Sequence, residues 1–225
     1  MKKIMFSERY GLGQAVLAET KTMTRRIIPD IEIDWNRRGR VTLPVSGFEH
    51  GVLFMDVRSI LHDAGIFDYP APAKYQPKYE IGDEVAIAQA YQTLLWPALP
   101  GIDWKAITDE VTHSKGWTNK MFVKAEYMPY RIRITGIKVE RLQDISDEDC
   151  LREGVYKHNA APDALGMDRY RFIAYAYNAT PGKNIKRWWF QTPREAFAAL
   201  IDRISGRGTW QRNPWVYAYT FELIK

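Results

Sequence analysis

The sequence has 225 residues, of which 46% are hydrophobic and 13% aromatic, and this composition excludes a globally disordered chain. The net charge of +5 at pH 7 is modest, and the single Cys150 excludes an intramolecular disulfide framework. We find no apolar run long enough for a membrane span and no signal-peptide pattern, so we expect a cytoplasmic protein without membrane association. The length fits a single domain over residues 1–225.

Strands are predicted where apolar and polar residues alternate, because successive side chains of a strand face opposite sides. These segments are residues 3–7, 23–28, 39–45, 52–57, 85–87, 121–125, 131–141 and 215–223. Two of them, 39–45 and 52–57, should form a hairpin. Gly82-Asp83 marks a tight turn before the strand at residue 85, and Gly136 marks a bend in the longest strand.

Three helices are predicted from their first residues and apolar faces. The first follows Gly11, and the second is capped by Ser146 and ends at Gly154. The third begins at Thr192-Pro193, which supplies a cap and a proline at the first helical position, and it ends at Gly206.

Strands separated by a few helices predict an α+β fold built on a small β-barrel or a curled mixed sheet. Two stretches, at about 30–78 and 156–182, are irregular and rich in turn-forming or small residues. We interpret both as insertions into the single domain.

Several kinds of site are disfavoured by the sequence. The four histidines are far apart and no cysteine cluster exists, so we expect neither a metal site nor a cofactor. Gly11 and Gly13 match part of a dinucleotide-binding fingerprint, but Val16 occupies its third glycine position. Cys150 lies in an acidic helical turn, where neighbouring carboxylates raise the pKa of a thiol, and a structural role is expected.

Charge is distributed unevenly along the chain. Residues 183–212 contain seven basic and two acidic residues, whereas residues 139–153 contain two basic and six acidic residues. Tryptophans accompany the basic residues, and this combination suits stacking on a base while cations hold a phosphate. Ordinary packing explains the tryptophans as well, and for Arg207, Trp210 and Arg212 both interpretations remain open.

Residues 19–26, Glu-Thr-Lys-Thr-Met-Thr-Arg-Arg, bring hydroxyls and cations together after the first helix. They fit either an amphipathic strand or a site for a polar, anionic substrate. In a site, a lysine desolvated by its pocket could act as the base for a threonine nucleophile, because burial lowers its pKa. Among the carboxylates of the acidic helix, Glu153 is the candidate partner; the alternative is that it offsets the charge of Arg152.

Residues 21–26, Lys-Thr-Met-Thr-Arg-Arg, resemble the Lys-Thr-x-Thr-x-Arg signature of the ASCH domain superfamily, which is related to the RNA-binding PUA domain. Later landmarks are similar in order, namely the Gly82-Asp83 turn, Met128-Pro129 before the long strand, the segment 142–154 and the strand at Asn213-Pro214-Trp215-Val216. The outline is particularly similar to that of the larger ASCH-like proteins of bacteriophages and prophages.

This resemblance implies a PUA-like small β-barrel with flanking helices and a cleft in which the signature faces a nucleotide or RNA. One bacterial branch of the superfamily hydrolyses N4-acetylcytidine with a lysine, a threonine and a glutamate. Transferred to this chain, these residues are Lys21 as the base, Thr24 as the nucleophile and Glu153 as the proton relay. Arg26 matches a substrate-binding arginine.

Two positions depart from the family pattern: Glu19-Thr20 stands in place of a glycine before the lysine, and Ala88-Gln89 in place of an Arg-Glu pair. We therefore expect a protein that binds a nucleotide or RNA at the signature, with or without catalysis. The alternative is an amidohydrolase that removes an acyl group from a modified nucleoside such as N4-acetylcytidine. A phage-type regulatory protein that binds another protein is a third hypothesis. Residues expected to bind the substrate are Thr22, Arg25, Arg26, Arg207, Trp210 and Arg212.

Overall fold

A five-stranded mixed sheet with helices packed around it gives the chain an α+β fold, as the sequence predicts. The computed structural model describes residues 1–28, 31–34, 40–43, 47–49, 52–54, 77–94, 104–157, 170–172 and 190–224. Its strands are β1 (Lys2–Ile4), β2 (Met23–Ile27), β3 (Ile31–Asp34), β4 (Arg40–Leu43), β5 (Gly47–Glu49), β6 (Val52–Phe54), β7 (Glu84–Ile87), β8 (Arg131–Arg141), β9 (Val155–Lys157), β10 (Tyr170–Phe172) and β11 (Trp215–Ile224).

The helices are α1 (Leu12–Leu17), α2 (Tyr91–Leu94), α3 (Trp104–Thr112), α4 (Asp147–Arg152), α5 (Pro193–Ser205) and α6 (Thr209–Arg212). Short 3-10 helices occur at Glu8–Tyr10, Lys120–Phe122, Ala125–Tyr127 and Leu142–Asp144. Within the part of the chain that the structure describes, none of the helices has both the length and the apolar character to cross a membrane.

The main sheet has the strand order β1-β7-β8-β11-β2, with β1 and β7 parallel and the remaining pairs antiparallel. The sheet is not closed, because β1 and β2 are its two edge strands and do not pair among the described residues. The edges are nevertheless near each other, since the Arg26 guanidinium on β2 donates a 2.7 Å hydrogen bond to the carbonyl of Met5 after β1. The α+β class is thus confirmed, whereas the closed small β-barrel is not found in the described strands.

The predicted insertion at about 30–78 contains two short hairpins, β3 with β4 and β5 with β6. The predicted pairing of residues 39–45 with 52–57 is wrong, because each of these segments pairs with the strand just before it. In the second insertion, at about 156–182, β9 pairs with β10. The remainder of both stretches lies outside the described residues.

One other local prediction also needs correction. The segment predicted as a strand at residues 121–125 is not a strand, because its two ends lie in the 3-10 helices Lys120–Phe122 and Ala125–Tyr127. Asn119 caps the first of them by accepting a hydrogen bond from the Met121 N–H. Helix α3 was not anticipated. By contrast, the caps at Ser146 and Thr192 are present, each side chain accepting from the backbone three residues later.

The main hydrophobic core lies on one face of the sheet. Alternate residues of β11 point inward with residues of the other strands and of α1, since side chains on a strand alternate between faces. Members of this cluster with 5% exposure or less include Ile4, Phe6, Leu12, Val16, Val85, Ile132, Ile134, Tyr219 and Phe221. Full burial of an aliphatic side chain of this size stabilises the fold by about 1.5–3 kcal/mol.

A second cluster holds α4 and α5 against the opposite side of the sheet. Leu142, Ile145, Cys150, Phe197 and Val216 are buried there together. This packing fixes the position of α4 relative to β2, and it thereby positions the carboxylates at the end of α4. A third cluster joins α2 and the segment around Ala125 to β7.

The turn at the end of α4 depends on Gly154, which adopts a φ of +101°. A Cβ at this position would lie 3.0 Å from Leu12 Cδ2 and 3.6 Å from Lys21 Cδ. Gly82 has a similar φ of +91°, but a Cβ added there would have no atom of the surrounding structure within 4 Å. Comparison of alanine substitutions at the two glycines therefore distinguishes the cost of backbone strain from the cost of steric contact.

We expect Gly154→Ala to lower the free energy of unfolding by about 1–3 kcal/mol from backbone strain alone, with a further cost from the contact with α1. Gly82→Ala should show the strain without the contact, and so the smaller loss. Urea unfolding of both variants measures the difference. Equal losses in the two variants would mean that Gly154 matters only for its backbone conformation.

Candidate functional site

The signature residues are divided between the two faces of β2. Strand alternation places Arg25 on the face covered by α4, and Thr24 and Arg26 on the opposite face. The contacts agree, because the Arg25 guanidinium binds carboxylates of α4 and β8, whereas that of Arg26 lies near Met5 and Phe6. One short strand thus provides a supporting cation on one face and two polar side chains on the other.

Arg25 is the centre of a buried ion cluster. Its side chain is 1% exposed, its Nε donates to Glu140 Oε1 at 2.9 Å, and a terminal nitrogen donates to the same oxygen at 2.5 Å. The guanidinium also donates to Asp149 Oδ2 at 3.0 Å and to Glu153 Oε1 at 3.1 Å. The second oxygen of Glu140 is 2.5 Å from Lys138 Nζ. Arg25 was predicted to bind substrate, but this position makes it a support for the carboxylates.

Glu153 connects this ion cluster to Lys21. One carboxylate oxygen, Oε1, accepts from Arg25, and the other, Oε2, accepts from Lys21 Nζ at 2.8 Å. Its backbone N–H donates to the Asp149 carbonyl at 2.9 Å, which keeps Glu153 at the end of α4. The sequence-based pairing of Lys21 with Glu153 is therefore present in the structure.

Lys21 is buried and its ammonium group has three acceptors. Besides Glu153 Oε2, Nζ donates to the carbonyl of Met23 and to the carbonyl of Glu153, both at 2.7 Å. Desolvation by burial lowers the pKa of Lys21 from 10.5, and the nearby guanidinium groups lower it further, while the Glu153 carboxylate opposes this shift. The arrangement holds an ammonium in place and also makes its proton easier to remove than that of an exposed lysine.

Lys21 and Arg26 lie near the ring of Phe6. Lys21 Nζ and Arg26 Cζ lie 5.8 Å and 5.9 Å from the ring centroid, within the range of a cation–π interaction. Thr24, between them in sequence, is 5% exposed and shares the face of Arg26. None of the three protons of Lys21 goes to the Thr24 hydroxyl.

A solvent-open cleft of about 490 Å³ lies beside the signature. Lys21 and Thr22 form one side of it, and the other side is formed by Arg133 of β8 and by the end of β11 that extends beyond β2. The complete lining is Val16, Glu19, Lys21, Thr22, Arg133, Phe221, Glu222, Leu223 and Ile224. Thr24, Arg26 and Glu153 do not line this cleft, so the cleft reaches the predicted trio only through Lys21.

Thr22 is half-buried and is held by the end of α4. Its hydroxyl accepts from Arg152 Nε at 3.2 Å, and its backbone N–H donates to the Arg152 carbonyl at 3.0 Å. Because Thr22 also lines the cleft, it is placed where a substrate could contact it. Arg152 thus binds Thr22, which differs from the alternative interpretation in which its charge faces Glu153.

The part of the basic, tryptophan-rich end that the structure describes, residues 190–212, does not join this site. The carbonyl of Trp215 accepts a backbone hydrogen bond from Ile28, so residues 207–212 lie beyond the far end of β2 from Lys21. The six residues from Met23 to Ile28 are extended and span about 16 Å. The predicted substrate-binding residues Arg207, Trp210 and Arg212 are therefore separate from the signature.

Trp210 and Arg212 both have contacts within this end of the chain. Trp210 is half-buried, packs edge-on against Phe197 with ring centroids 6.2 Å apart, and has the Arg194 guanidinium 5.3 Å from its ring centroid. Arg212 is exposed and donates to the Thr209 hydroxyl at 3.0 Å. The packing interpretation of Trp210 is thus the one that the structure supports.

The sequence did not indicate four residues of the site. Glu140 and Asp149 hold Arg25, Phe6 receives two cations, and Arg133 borders the cleft. A faint signal existed for Glu140, since the alternation of β8 places this charged residue among partly buried neighbours. The other three depend on contacts between elements distant in sequence.

Metal and thiol chemistry receive no support among the described residues. No group of three or more histidine, cysteine, aspartate or glutamate residues in that part of the chain is arranged to hold a metal ion. Burial raises the pKa of Cys150 to about 12, and its side chain packs between α4 and α5. The structural role predicted for Cys150 fits this position, although burial rather than neighbouring acids is the main cause of the raised pKa.

Comparison of the chain with protein-family models, with curated proteins and with solved structures found no match in any of the three.

We expect Arg25→Met to lower the free energy of unfolding by about 3–5 kcal/mol, because it leaves Glu140 and Glu153 buried with too little positive charge. The control is Arg133→Met, whose ion pairs with Glu84 and Glu222 are exposed and should contribute less than about 1 kcal/mol. Urea unfolding at neutral pH provides the measurement. A loss in the first variant no larger than in the control would contradict a supporting role for the cluster.

Proposed function

We propose that the protein binds a nucleotide or RNA at the signature, with Thr22 and Arg26 as the residues that recognise it and with Lys21 as part of the cleft wall. The observation that carries this proposal is an open cleft of about 490 Å³ lined by Lys21 and Thr22, with the Lys21 ammonium and the Arg26 guanidinium near the same Phe6 ring. A cleft of this volume is in the range of small-molecule sites. A guanidinium near a hydroxyl suits a phosphate, because both groups can donate hydrogen bonds to its oxygens.

The ASCH resemblance of residues 21–26 points to the same class of ligand. The PUA-like barrel that it implies would require the edges at β1 and β2 to be joined, and the Arg26–Met5 hydrogen bond of 2.7 Å supports a sheet curled toward that shape. We therefore retain the ASCH and PUA-like assignment as part of the proposal.

Binding of uridine and cytidine monophosphates, measured by isothermal titration calorimetry, tests this proposal. Arg26→Gln should weaken binding about tenfold or more, because it removes a charged partner of the phosphate. Arg203→Gln on α5, which removes the same charge from a residue that donates within its own helix, is the matched control. Absence of binding to the wild-type protein, or equal effects of the two variants, would contradict the proposal.

A second function, removal of an acyl group from a modified nucleoside, is favoured by the contact between Lys21 and Glu153 at 2.8 Å. In this reaction the neutral amine of Lys21 takes the Thr24 hydroxyl proton while the oxygen attacks the acyl carbonyl. The proton then passes to the departing amine nitrogen, and the C–N bond breaks. Lys21 next takes a proton from water as the water oxygen attacks the acyl-threonine; the ester C–O bond breaks, the proton passes to the Thr24 oxygen, and the acid is released. Glu153 would orient the amine and stabilise its protonated form.

Hydrolysis of N4-acetylcytidine by the purified protein tests this second function. The rate should rise with pH and level off below 10.5, because burial lowers the pKa of Lys21 and only the neutral amine is a base. Lys21→Arg, which keeps the charge but cannot deprotonate, should be inactive at every pH. Nucleotide binding without acetyl release in the wild-type protein would leave the binding function and reject the hydrolytic one.

A further inference from the structure

We propose that a single-stranded polynucleotide binds to an exposed surface next to the signature, here called the Phe122 surface. It consists of Met5, Met121 and Phe122, with Lys3, Lys115 and Lys120 around them. This inference rests on the proposed function, which it extends from a single nucleotide to the strand that contains it.

The apolar part of this surface is unusually exposed for its size. Phe122 is 54% exposed, Met121 61% and Met5 38%, although large apolar side chains are mostly buried elsewhere in the described core. Phe122 and Met121 lie together on the 3-10 helix Lys120–Phe122. An exposed aromatic ring on a fixed backbone provides a face on which a base can stack, and base–aromatic stacking does not require a particular base.

Three lysines surround these side chains, and backbone carbonyls hold two of them. Lys3 Nζ donates to the carbonyls of Met121 and Val123 at 2.8 and 2.6 Å, and Lys120 Nζ donates to the carbonyl of Phe6. Lys115 Nζ is 5.7 Å from the centroid of the Phe122 ring. A carbonyl positions an ammonium group without cancelling its charge.

Few carboxylates offset these cations. Among the described residues, the ion pairs of this surface are limited to Lys120 with Glu8 at 3.2 Å, and the Glu8 side chain is 55% exposed. The neighbouring Lys124 pairs with Glu110 at 2.5 Å and is therefore not counted in the surface. The remaining positive charge is complementary to the phosphates of a polynucleotide.

The Phe122 surface continues directly into the candidate site. Arg26 donates to the Met5 carbonyl at 2.7 Å, and Lys120 donates to the carbonyl of the next residue, Phe6. Phe6 is also the residue whose ring faces Lys21 and Arg26. A nucleotide at the signature would thus have its neighbours along the strand close to Phe122 and its lysines.

Fluorescence anisotropy with labelled oligouridylate and oligothymidylate tests this inference. Phe122→Ala should weaken binding of the oligonucleotides about tenfold while binding of uridine monophosphate stays unchanged. Ile204→Ala, an exposed apolar residue on α5 at 41% exposure, is the matched control and should have no effect. Lys115→Gln should lower the salt dependence of log K by about 0.7, the value for one phosphate contact on a single strand.

Each outcome separates this inference from the proposed function. If both ligands bind and Phe122→Ala binds the oligonucleotides like the wild-type protein, the inference fails and the proposed function remains. If oligonucleotides bind in a Phe122-dependent manner but the mononucleotide does not bind, the proposed signature site fails. An acidic peptide such as polyglutamate that competes fully and equally with the oligonucleotides would assign the surface to a protein partner, which overturns the inference.

Discussion

The carboxylate of Glu153 is the interaction on which the rest of the candidate site depends. Its two oxygens bind different cations, Arg25 at 3.1 Å and Lys21 at 2.8 Å, and all three groups are nearly inaccessible to water. Burying any one of these charges alone would be strongly unfavourable. Together they satisfy one another, and the carbonyls of Met23 and Glu153 complete the shell of the ammonium. The position of Lys21 is therefore determined by β2 and α4 jointly.

This dependence explains the division of the signature between the two faces of its strand. If both arginines lay on the face of the strand that meets the carboxylates, both would be occupied there and neither could contact a ligand. Alternation directs Arg25 to the carboxylates of α4 and β8 and leaves Arg26 with Phe6. The second hydrophobic cluster holds α4 against the sheet, so packing of residues such as Cys150 and Val216 maintains the distance between Glu153 and Lys21.

Local patterns in the sequence predicted those elements that are determined locally. The 131–141 strand, the closing strand and the caps at Ser146 and Thr192 all follow from alternation or capping chemistry within a few residues. The hairpin partners were assigned wrongly, because alternation identifies strands but does not state which strands pair. The Lys21–Glu153 contact was anticipated from the acidic helix and from the resemblance, but neither gave its geometry. The role of Arg25 was missed, because its carboxylates come from positions 115 to 128 residues away.

The same network determines how easily Lys21 could lose a proton, which it must do to act as a catalytic base. As an ammonium it has three acceptors, and loss of a proton removes one of these hydrogen bonds. Arg25 reduces the consequence for the fold, because Glu153 keeps a cation on its other oxygen whether or not Lys21 is charged. Desolvation favours the neutral amine further. If Lys21 were the sole cation bound to Glu153, loss of its proton would leave the buried carboxylate without a positive partner and would destabilise the site. Because Arg25 also binds Glu153, Lys21 can lose its proton while α4 and β2 stay in place.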